Sequence, residues 1–93
     1  MSVTLEKYCE TSQSNFAESL KVALRNGVFI RVDMVTIEKD YDEVRAYVDV
    51  KHSLSKTDFE LIIAIFDGLD WQICTSCFRC TYRVIFNLTA GWL

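Results

Sequence analysis

The sequence predicts an α+β fold: a single domain in the order α-β-β-α-β-β, with a four-stranded antiparallel sheet and two helices on one of its faces. Three observations carry this. Two helical patterns each stop at an Asx-Gly pair, Asn26-Gly27 and Asp67-Gly68, where glycine supplies the left-handed conformation that ends a helix. Four runs alternate apolar and polar residues, the period of a half-buried strand. These runs fall in two pairs, one after each helix, as two hairpins would.

The elements follow in order. Leu5, Tyr8 and Cys9 make a short amphipathic turn over residues 3–10, within an N-terminal segment of residues 1–14. The first α-β-β unit covers 15–51. Asn15 with Glu18 resembles a capping box, and Phe16, Leu20, Ala23 and Leu24 form one apolar stripe at helical spacing. Val28, Ile30, Val32 and Met34 are expected on one face of a strand, with Arg31 and Asp33 on the other. Val44, Ala46, Val48 and Val50 repeat the pattern against Arg45, Tyr47, Asp49 and Lys51, and residues 38–43 form the polar connection.

The second unit covers 54–90. Ser55 as N-cap, Asp58 three residues on, and Leu54 with Phe59 as a hydrophobic staple open its helix. Between Leu61 and Phe66 this helix is apolar on all sides, so it must be covered from more than one direction. Either the N-terminal segment supplies the second cover, or two chains pack their helical layers together as a two-fold dimer. Leu69, Trp71 and Ile73, then Tyr82, Val84, Phe86 and Leu88, give the last two strands. The halves share the pattern L-x-x-A-[LI]-x-[ND]-G, at residues 20–27 and 61–68.

Composition narrows the function classes. Hydrophobic residues are 51% of the 93 and charged ones 25%, which is globular rather than disordered. The formal charge is −3, so non-specific attraction to nucleic acid or anionic lipid is not expected. Arg31, Arg45 and Arg83 around Tyr47 loosely resemble a base-stacking platform, but Asp33 and Asp49 share that face and oppose it. No apolar run nears the roughly 20 residues of a membrane span, and residues 1–7 lack signal-peptide character. The expectation is a cytoplasmic protein with no membrane association.

Two stretches carry chemistry. Cys74, Cys77 and Cys80 form a C-x-x-C-x-x-C run, a spacing that suits zinc or an iron–sulfur centre. A fourth ligand is lacking except for Cys9 or His52, and reduced structural thiols are the preferred reading. The other stretch is Glu38, Asp40, Tyr41, Asp42 and Glu43, an acidic loop with an embedded aromatic, which suits a basic protein surface. His52 is the one histidine, no glycine-rich phosphate loop occurs, and no catalytic constellation or cofactor motif is evident. The expected function is therefore non-enzymatic: binding of a protein partner by an inhibitor or adaptor, a format common among small proteins of phages and mobile elements. A small metalloprotein is the alternative.

Overall fold

Gly27 and Gly68 both sit at φ +81°; Gly27 directly follows the C-cap of the first long helix as a left-handed end, whereas the next helix stops at Ile65 and Gly68 lies in the turn after it. The protein's computed structural model describes residues 2–76 and 79–93. It contains β1 (Ser2–Val3), α1 (Leu5–Thr11), α2 (Asn15–Arg25), β2 (Val32–Asp40), β3 (Glu43–Val50), α3 (Lys56–Ile65), β4 (Asp70–Cys74) and β5 (Tyr82–Leu88), then a 3-10 turn at Ala90–Trp92. The α+β class and the antiparallel sheet are as expected. The expected count of four strands and two helices is corrected: β1 adds a fifth strand and α1 a third helix. Sheet order is β1-β2-β3-β5-β4, antiparallel throughout.

Local signals explain most boundaries. Thr4 caps α1, whose Leu5 and Cys9 are buried, so the amphipathic turn is a true helix. Ser14, not Asn15, caps α2: its Oγ accepts from the Ala17 amide at 3.1 Å. The Asn15 side chain instead donates to the Gly91 carbonyl, a partner far along the chain that local spacing could not reveal. Ser55 and Asp58 form the reciprocal capping box of α3.

The first strand departs from its expected register. Residues 26–31 form a turn, with Val28 and Phe29 buried and Ile30 exposed. Val32 pairs with Val50 but Met34 with Asp49, so two residues advance against one, as in a β-bulge. Beyond it Val35 faces the core and Met34 the open face. The alternation read as Val28, Ile30, Val32, Met34 thus merged a turn, a bulge and a strand. Because side-chain direction has period two, one inserted residue reverses every later assignment.

One core lies between the helices and one face of the sheet. Its centre is a triangle of rings, Phe16 from α2, Phe66 at the end of α3 and Phe86 from β5. Their centroids lie 4.9 Å (16–86), 4.6 Å (66–86) and 5.8 Å (16–66) apart, within the range of favourable aromatic packing. Tyr8 of α1 packs on Phe16 at 6.1 Å, so the N-terminal segment does cover part of the helical layer. It leaves Phe59 and Ile63 of α3 at 42% and 48% exposure.

The shared octapeptide does not carry equivalent packing. Ala23 is buried and Ala64 exposed; Arg25 is exposed and Phe66 buried. The two helices share a glycine at φ +81° but are capped at different positions of the pattern, Asn26 and Phe66, and present different faces to the sheet.

The opposite face of the sheet bears no helix among the described residues. In cross-strand rows it presents Met34, Asp49, Arg83 and Cys74; Thr36, Tyr47, Ile85 and Gln72; and Glu38, Arg45, Asn87 and Asp70.

Candidate functional site

The acidic stretch is the tip of the β2–β3 hairpin. Glu38 and Asp40 end β2, Glu43 opens β3, and Tyr41 with Asp42 are the whole connection. The expected six-residue polar loop is therefore corrected to a two-residue turn on two long strands. Four residues of it lie in the ladder, paired Glu38↔Arg45, Lys39↔Val44 and Asp40↔Glu43.

Two features of this tip work against folding. The closing pair, Asp40↔Glu43, sets two carboxylates opposite each other, which destabilises a hairpin. Arg45 Nη2 lies 2.5 Å from Glu43 Oε2, whereas Asp40 and Asp42 have no ion-pair partner among the described residues. Tyr41 adopts φ +54°, a conformation that suits Gly or Asn and costs a residue with a bulky side chain on the order of 1 kcal/mol.

One other non-glycine residue described has positive φ, Phe29 at +58°, and the contrast between the two is informative. Phe29 is fully buried, with its ring 6.4 Å from Phe66, so packing offsets its strain. Tyr41 is 92% exposed and makes no ring contact among the described residues. No packing among the described residues repays its conformation, and Arg45 offsets only part of the charge crowding beside it. Strain that the fold does not use is a pointer to function. Shallow depressions flank the tip on both sides, and Glu43 and Arg45 line each of them.

The cysteine run is described in part. Cys77 lies outside the described residues. Cys74 is a free, half-buried thiol at the end of β4, and Cys80 is disulfide-bonded. Cys74 and Cys9 are free thiols, as expected of reduced cysteines, whereas a disulfide-bonded Cys80 offers no thiolate to a metal. Among the described residues, no three His, Cys, Asp or Glu side chains gather into a metal-binding cluster. Cys9 is far from this run in sequence and buried in the core, where desolvation pushes its thiol pKa up.

His52 has neighbours that sequence spacing did not suggest. Its Nε2 lies 3.3 Å from Asp58 Oδ2 and its ring packs edge-on to Tyr82 at 5.8 Å. The His52–Asp58 approach is an ion-pair distance without hydrogen-bond alignment: both imidazole nitrogens and the Tyr82 hydroxyl lack a protein hydrogen-bond partner among the described residues. Burial, then the nearby Asp58 charge, pushes the Tyr82 hydroxyl up to about 12. Asp58 is committed to the capping box and Tyr82 is 1% exposed, so this cluster anchors the start of α3 against β5.

On the open face, Arg83 is bound to Asp49 and stacked on Tyr47. Of the residues that loosely resembled a nucleic-acid platform, Arg83 and Tyr47 are thus engaged with each other and with Asp49, Arg45 is paired with Glu43, and Arg31 lies in the exposed turn before β2. No helix among the described residues is long and apolar enough to cross a membrane. No protein-family model, curated protein or solved structure matches this chain.

Proposed function

We propose that the protein binds another protein through the β2–β3 tip, with Tyr41 as the anchor and Asp40, Asp42, Glu43 and Glu38 as the charged surround, in the manner of a small inhibitor or adaptor. The observation that carries this reading is the exposed, strained Tyr41 set among carboxylates of which Asp40 and Asp42 have no ion-pair partner among the described residues. Tyrosine is a frequent interface anchor because it brings large area with few rotatable bonds. The surrounding acids would steer a basic partner surface and set orientation. A two-residue turn on strands of nine and eight residues presents the anchor rigidly, so little ordering entropy is lost on binding.

The test is differential capture from a lysate of the native host. The wild-type protein should retain a partner that elutes with salt, and the Asp40→Ser, Asp42→Ser, Glu43→Ser variant should lose it while keeping its fold. Equal retention by both would place binding elsewhere.

A further inference from the structure

The outer edge of β4 and the exposed side of α3 form one continuous, unpartnered surface. β4 is the last strand of the sheet, paired on one side only, with β5. Among the described residues, no backbone bond outside that ladder reaches residues 70–74. The strand reads Asp-Trp-Gln-Ile-Cys and has no proline, lysine or bulge; its five-residue length and Asp70 are its only protections of the kinds that guard free edges. On the helical side Trp71 and Ile73 stay half-buried, whereas their β5 neighbours Phe86 and Val84 are buried. Phe59 of α3 packs edge-on to Trp71 at 5.8 Å. Ile63, one turn further along α3, continues the apolar surface, 48% exposed.

We infer that this edge pairs with the same edge of a second copy, β4 against β4 in antiparallel register about a two-fold axis at Gln72. Charge and pattern select that occupant. About Gln72, Asp70 faces Cys74 of the other chain instead of its own counterpart, so no like charges oppose. Trp71 faces Ile73, an aromatic–β-branched pair of the kind that stabilises sheets. The same two-fold that satisfies the backbone brings the Phe59–Ile63 surfaces of the two α3 helices toward each other, as an isologous interface requires. The product is a continuous ten-stranded sheet. Because β3 and β4 run parallel within one chain, its two acidic tips emerge at opposite ends.

Area sets the strength. A five-residue strand spans roughly 17 Å, and an edge of one sheet and one helix stands roughly 20 Å high. Each chain then contributes about 350 Å², well under the roughly 800 Å² per partner of a standard interface. The dimer is therefore weak and forms only as concentration rises.

Sedimentation equilibrium between about 10 µM and about 1 mM tests this. Wild-type protein should move from the 10.8 kDa monomer toward twice that mass. Gln72 is exposed on the open face, so Gln72→Lys and Gln72→Glu should fold, yet each places like charges on the axis and should stay monomeric. An equimolar mixture of the two should associate again. Ile63→Asp, at the helix surface, should also weaken the dimer. A wild-type protein that stays monomeric throughout overturns the inference. So does association that Ile63→Asp abolishes while both Gln72 variants leave it unchanged, because that would be helix packing without strand pairing.

Discussion

Arg83 holds Asp49 across the β3–β5 ladder with both ends of its fork: Nε donates to Oδ1 at 2.6 Å and Nη2 to Oδ2 at 3.1 Å. The two residues are direct cross-strand partners, and the guanidinium lies over the Tyr47 ring, 5.2 Å from its centroid. Asp49 is 8% exposed, so its carboxylate leans on this cation. The Asp49 hydrogen bond is also the main reason that the Arg83 pKa is raised.

Removing the arginine is expected to cost more than removing the pair. Arg83→Ala leaves a mostly buried carboxylate unpaired and should destabilise by roughly 2 kcal/mol. The Asp49→Asn, Arg83→Gln double variant should lose less than the sum of its singles, in a double-mutant cycle read by urea unfolding. Additive losses would show that the bond carries little coupling.

Tyr82 makes stability fall in alkali. Its hydroxyl ionises at about 12 in the folded protein against roughly 10 in the unfolded chain. Between those values the folded state holds the extra proton, so stability is full below about pH 10 and declines by on the order of 2 kcal/mol as pH rises through 12. Tyr82→Phe removes both this slope and a buried hydroxyl without a hydrogen-bond partner among the described residues, and should be neutral or stabilising at pH 7. Chemical unfolding of the two proteins at pH 7 and 11 checks the sign. An identical pH slope in the variant would contradict the assignment.

The ring triangle is the centre of cohesion. Phe86→Ala removes the member that contacts both of the others at under 5 Å and is expected to cost about 3–5 kcal/mol, a large share of the stability of a chain this size. Ser55→Ala, which removes one half of the α3 capping box, should cost about 1 kcal/mol. Thermal melts of both proteins separate the two magnitudes.

How far the sequence disclosed this molecule depends on how local each signal was. Capping at Ser55–Asp58, the glycine stop at Gly27 and the alternation of β3, β4 and β5 are written in neighbouring residues, and each is present. The bulge before Met34 was not legible, because an extra residue in one strand shows itself only against its partner. The same holds for Asn15, whose amide is taken by Gly91, and for His52, whose neighbours Asp58 and Tyr82 arrive from a helix and a distant strand. At the hairpin tip the charges and Tyr41 could be read directly. The two-residue turn, the Asp40↔Glu43 opposition and the positive φ of Tyr41 could not, since nothing in the tip has the Asn-Gly or Asp-Gly form that announces such a turn.

The tip should therefore be a place where stability can be gained. Tyr41→Gly relieves the left-handed strain and Asp40→Asn the carboxylate opposition, and each is expected to raise stability by about 0.5–1 kcal/mol. Denaturant midpoints that fall instead would show that the tip is already optimal for folding.

The affinity of the captured partner for Tyr41→Gly protein tests the central claim most directly. This variant keeps all four acids and the hairpin, and lacks only the anchor. The expected result is a loss of at least about tenfold, roughly 1.4 kcal/mol, from a protein that is itself no less stable. Unchanged affinity would contradict the account, leaving Tyr41 an exposed, strained residue with no part in binding.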